Sequence, residues 1–216
     1  MMNEPGRPIR IEPRWPVAIT AVAILFLLAV LPWRIRIFPL WVSYISAIAL
    51  IVPMTAVTLS TAKGEWLRVE RATTLLFCAL AEGATVIALV RLLNAMVRGS
   101  MEIGGNRLLT SSVAAWAMNV FTFSLLYWQV DRGGPAFLGR REWLFPQEGI
   151  RENAASHWQP NFVDYLYLAY STATAFSSTD VLPLTSRAKI LMMLESTISL
   201  VTILAVAARA INILGT

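Results

Sequence analysis

The sequence predicts an all-α, polytopic membrane protein with about five transmembrane helices plus one re-entrant pore helix. Three observations carry this. The 216 residues are 56% hydrophobic and only 14% charged, with a mean hydropathy of +0.60, which excludes an ordinary soluble domain. Several apolar runs reach the ~20 residues needed to cross a hydrocarbon core of ~30 Å. One further run, residues 162–176, is apolar but too short to cross: as a helix its roughly 15 residues rise only ~22 Å.

Residues 1–14 form a polar, Pro-rich tail carrying Arg7, Arg10 and Arg14. Residues 15–31 are the first expected span. A basic tail before an apolar run imitates a secretory signal, but Val30-Leu-Pro-Trp-Arg34 has no small-residue cleavage site, so retention is expected. Pro32, Trp33, Arg34 and Arg36 read as an interfacial turn, and residues 38–61 as a second span kinked at Pro53. Residues 62–71 read as an amphipathic polar connector, 72–97 as the third span, and 99–107, with Gly104-Gly105, as a loop. Residues 108–130 are the fourth span. The chain then turns hydrophilic from 131 to 160, with Gly133-Gly134-Pro135 and the sole histidine, His157. The fifth span covers about 190–214. This divides the chain into a tail (1–14), a three-helix region (15–107) and a second module (108–216).

The function classes left open are few. A net charge of +5 and a pI near 9.9 come from basic residues scattered singly among loops, with no basic stripe for nucleic acid. The single cysteine, Cys78, cannot form an intrachain disulfide and reads as a small buried hydrophobe. No metal-spaced ligand set, Gly-x-Ser-x-Gly or phosphate loop is present, so nothing supports an enzyme, and no cofactor or soluble partner is implied.

Chemistry concentrates at the end of the short run. Backbone that stops at membrane depth persists only where protein or a water-filled cavity shelters it. Asn161 and Asp164 have the spacing of a capping box at the start of this half-helix. Its end carries Thr172, Thr174, Ala175, Phe176, Ser177, Ser178, Thr179 and Asp180. Two readings stand for the hydroxyls: oxygens that pass partly hydrated cations, or a Ser/Thr-rich helix end capping itself. Asp180 reads either as an acid concentrating cations at a mouth or as a cap for the next helix. Phe176, large for a conduction path, reads as pointing into packing or as blocking it.

The order of outer helix, hydrophilic loop, half-helix, hydroxyl run and inner helix resembles the pore module of the potassium-channel superfamily. That family's filter runs Thr-x-Thr-Thr-Val-Gly-Tyr-Gly-Asp; here the matching stretch is Thr172-Ala-Thr174-Ala-Phe176-Ser-Ser-Thr179-Asp180, followed by Pro183 and Thr185. Both filter glycines are replaced, by Ser177 and Thr179, and glycine there supplies backbone angles that Ser and Thr adopt only at a cost. The resemblance therefore implies a potassium-channel-like subunit passing small monovalent cations without strict potassium selectivity. It also implies a homotetramer in the cell (inner) membrane, in contact with lipid, with Asp164 and Glu195 supporting the pore. The alternative is a non-conducting membrane protein on the same scaffold.

Orientation divides two arguments. The family topology puts 12 of the 18 Lys and Arg residues outside and 6 inside, the reverse of the positive-inside expectation. Within the spans, Glu82 and Glu195 are costly and default to functional roles. Glu195 is expected to brace the half-helix through its Tyr or Thr residues. Glu82 is open to protonation, to a bond with Asn119 or Thr122, or to pairing with Arg91. Trp116, Trp128, Trp143 and Trp158 read as interface anchors.

Overall fold

The computed structural model describes residues 15–30, 45, 48, 49, 52, 64–98, 105–131, 140–149, 158–175 and 180–214. Five long helices dominate: α1 (Trp15–Val30), α2 (Gly64–Arg98), α3 (Gly105–Val130), α4 (Phe162–Ala175) and α5 (Ser186–Leu214). Among the described residues three helices hold stretches long and apolar enough to cross a membrane: Arg68–Arg91, Leu109–Val130 and Ser186–Ala208. The chain is thus a mainly helical membrane protein. Of the five spans expected from sequence, three are present among the described residues; α1 has 16 residues and rises only ~24 Å, and the expected second span, apart from residues 45, 48, 49 and 52, lies outside the described residues, as do its kink at Pro53 and His157.

The apolar residues are distributed as membrane helices require. In α1, Val17, Thr20, Ala21 and Ile24 are buried at i, i+3, i+4, i+7 spacing, while Trp15, Ile19, Val22 and Phe26 stay exposed. α2 buries Thr74, Cys78, Ala81, Ala84, Thr85 and Ala88, small residues that let its backbone approach α3 closely. The polar connector expected over 62–71 is corrected from Gly64 onward, where it is the first two turns of α2. Glu65, Leu67, Arg68, Glu70 and Arg71 are good helix formers, and no Pro or Gly follows Gly64 to break the helix before Gly83.

α3 is the hub, packed against α1, α2, α4 and α5. Its second half is buried nearly all round, from Met118 to Val130, and Asp131 beyond it is buried as well. Asn119 ties α3 to α5: its Nδ2 donates to the Glu195 carbonyl at 3.2 Å and to Ser199 Oγ at 2.8 Å. Such interhelical bonds contribute modestly in a membrane, so Asn119→Ala is expected to cost about 0.6–1.7 kcal/mol, read by thermal unfolding in detergent.

The hydrophilic loop is more ordered than its composition suggests. Strand β1 (Trp143–Leu144) pairs antiparallel with β2 (Leu182–Pro183), and a 3₁₀ turn follows at Pro146–Gly149. Leu184 N–H donates to the Glu142 carbonyl at 2.8 Å and extends the pairing. Asp131 holds the loop down: its Oδ1 accepts the Glu142 N–H at 2.6 Å and its Oδ2 the Tyr165 hydroxyl at 2.7 Å. Trp128 and Trp143 are core residues rather than interface anchors. Trp128 meets Phe162 edge-on at 6.2 Å, and Trp143 sits 4.7 Å from Tyr127 with its indole N–H on Met192 Sδ.

Candidate functional site: the half-helix and its return

α4 has 14 residues and rises ~21 Å, short of the ~30 Å hydrocarbon core. Its start is fixed by the capping box: Asn161 Oδ1 accepts the Val163 N–H at 2.8 Å, and Asp164 Oδ2 accepts the Asn161 N–H at 2.7 Å. Burial pushes the Asp164 carboxyl above its ordinary range, and the Asn161 N–H works against that push. Phe162, Tyr165, Leu168, Ala169, Thr172 and Ala173 form the buried face, wedged between α3 and α5. Val163, Tyr167, Tyr170, Thr174 and Ala175 are exposed.

Asp180 and Val181 line the same cleft, of about 520 Å³, as Asp164, Tyr167 and Phe145. The Tyr167 hydroxyl donates to Asp180 Oδ2 at 3.5 Å. Tyr167 lies eight residues before Ala175, about 12 Å along the axis. Asp180 therefore lies back at the level of α4's first half, beside Tyr167 and Asp164, rather than beyond Ala175. β2 then docks on β1, and Thr185 starts α5: its Oγ1 accepts the Ala188 N–H at 3.1 Å while its hydroxyl donates to the Glu142 carboxylate. Thr185, not Asp180, is the cap of α5, and the helix begins at Ser186, four residues before the expected start of the fifth span. No protein-family model, curated protein or solved structure matches the chain.

The hydroxyl run divides. Thr172 is buried, and its hydroxyl donates to the Leu168 carbonyl at 2.8 Å. Thr174 is exposed and donates to the Tyr170 carbonyl at 2.8 Å. Ala175 is exposed beside it, and Asp180 is exposed at the other end of the return. Phe176, Ser177, Ser178 and Thr179 lie outside the described residues.

Glu195 is fully buried, but its partner is not on the half-helix. The Tyr127 hydroxyl of α3 donates to Glu195 Oε2, and the neighbouring Ser196 bonds to α4, its hydroxyl donating to the Thr172 carbonyl at 3.4 Å. The expected brace to a Tyr or Thr of the half-helix is therefore corrected: the rotation of α5 turns the carboxyl to α3. Glu82 bonds to none of the partners weighed from sequence. Both its oxygens are buried without a hydrogen bond.

Proposed function

We propose that the protein is a subunit of a potassium-channel-like channel for small cations, with α4 as its re-entrant pore helix. The observation that carries this reading is the sharing of one cleft by Asp164 and Asp180, at the two ends of a segment too short to cross the bilayer. A chain that enters and leaves on one side presents its turning point at membrane depth, where exposed backbone needs a wet cavity. The carbonyl end of α4 points toward that turn and favours cations there. In this reading ions pass Thr174, Ala175 and the run 176–179, and Asp180 concentrates them at the mouth.

One chain alone cannot enclose such a path. Thr174 and Ala175 are uncovered, as is an apolar groove of about 380 Å³ between α3 and α4, lined by Trp116, Val120, Phe121, Val163 and Tyr170 among others. α5 turns Ile190, Met193, Leu194, Leu200 and Leu204 outward. An apolar groove and an apolar helix face are the two surfaces a head-to-tail contact would bury, and in this reading that contact repeats around one axis to close a ring. The assembly is a homotetramer in the inner membrane.

Flux assays test this. Protein reconstituted into liposomes is expected to pass potassium and sodium, and to run as about four subunits by native mass. Asp180→Asn is expected to lower flux about tenfold at low ionic strength, with little effect at high salt. Absence of flux from a tetrameric preparation would sink the reading. The second reading, a non-conducting scaffold, is favoured by the burial of Thr172 and by the return of the Thr172 and Thr174 hydroxyls to their own helix. It calls for a monomer and no flux.

A further inference from the structure

The β1–β2 pair gathers positive charge where α5 enters the bilayer. Its register carries on to Leu184, whose N–H bonds the Glu142 carbonyl at 2.8 Å, and the Thr185 hydroxyl holds the Glu142 carboxylate. Arg140 stands two residues before Glu142 and Arg187 two residues after Thr185. Two residues of chain reach at most ~7 Å, so both backbones lie close to that contact. Lys189 follows one turn into α5, with its N–H on the Thr185 carbonyl at 3.1 Å. The side chains of Arg140, Arg187 and Lys189 are exposed, and none of them bonds to a described residue. Acids nearby are engaged elsewhere: Glu142 by Thr185, Glu148 by Arg141, and Asp180 by Tyr167 in the cleft beside α4.

At about 100° per residue, Arg187 and Lys189 fall on either side of Ile190, which points outward from α5. Leu182 and Leu184, on the strand just before, are exposed as well. The apolar stretch Ser186–Ala208 begins at this turn, so the three cations stand at headgroup level with apolar side chains beside them. A free phosphate meets the charge and leaves the two leucines in water, whereas a phospholipid covers both. A zwitterionic lipid brings a quaternary ammonium that three uncompensated cations repel, and an anionic lipid does not. We propose that Arg140, Arg187 and Lys189, with Leu182 and Leu184, form a binding site for the headgroup of an anionic phospholipid. The site shares no residue with the cleft of Asp164 and Asp180, and it stands whether or not the protein conducts.

Thermal unfolding of the purified protein in a non-ionic detergent tests this, followed by the reaction of buried Cys78, the only thiol, with a fluorogenic dye. Short-chain phosphatidylglycerol is titrated in, with phosphatidylcholine of the same chains and inorganic phosphate in parallel. Phosphatidylglycerol is expected to raise the melting temperature by about 3–5 °C at saturation, and the other two to leave it unchanged. Arg187→Gln and Lys189→Gln are each expected to raise the lipid concentration that gives half the shift about fivefold. Arg68→Gln removes an exposed cation from α2 and is expected to keep the wild-type titration. Should one of the α5 variants not fold, the other decides. No shift with phosphatidylglycerol overturns the proposal, as do equal shifts from both lipids or a shift from phosphate alone. A titration that the α5 variants leave unchanged, or that Arg68→Gln weakens as much as they do, overturns it as well. Flux plays no part in the measurement, so its outcome is separate from that of the channel reading.

Discussion

Asp131→Ala is expected to lower the melting temperature in detergent by about 10 °C or more. The carboxylate is buried at the end of α3 and accepts from two donors of different segments, the Glu142 N–H and the Tyr165 hydroxyl. Alanine leaves both donors without an acceptor away from water. Each orphaned group costs about 1–3 kcal/mol, so the loss is about 3–5 kcal/mol, and each kcal/mol moves the melting point of a chain this size by about 2–4 °C. Asp131→Asn separates the contributions. Its amide oxygen still accepts one bond, but its NH₂ faces the second donor, so an intermediate loss is expected. Equal melting of wild type and Asp131→Ala would show that the loop does not depend on this anchor.

Trp143→Ala is the second large effect, expected to cost about 3–5 kcal/mol. The ring is 0% exposed, stacks at a tilt on Tyr127 and places its N–H on Met192. It also lies within β1, which pairs with β2 at the exit of the return. Removing it opens a cavity among α3, α5 and the loop at once. Trp143→Phe keeps the aromatic contact and loses the N–H, so less than half the loss is expected. Differential scanning of the three proteins in one detergent checks the order. If Phe proves as harmful as Ala, it is the indole N–H and not ring packing that holds the site.

The half-helix was legible in the sequence because its signals are local. The Asn161–Asp164 spacing marked its start, and its length alone predicted that it stops short. The end of α3 at Val130 was equally plain, since the apolar run breaks at Asp131. What sequence could not show is pairing at a distance. Asp131 opens a polar loop and looks like any loop acid, because its partner Tyr165 is 34 residues away. Two-residue strands are too short for alternation to register, so β1 and β2 gave no signal. The start of α2 was hidden for the opposite reason: charged residues there suggested a connector, yet the same residues are strong helix formers once Gly64 is passed. Glu195 was singled out as a costly acid within a span and assigned to the half-helix, but that it meets Tyr127 of α3 instead depends on the rotation of α5.

That rotation leaves α5 with a narrow inward edge of Ala188, Met192, Glu195, Ser199, Thr202 and Ala205. Mutational drift is therefore channelled on this one rod. Outward sites can exchange one greasy side chain for another with little penalty to the chain's own fold, while along that buried edge added volume has to be accommodated by repacking. Tolerated substitutions on this helix are expected to skip a ladder of positions three and four apart.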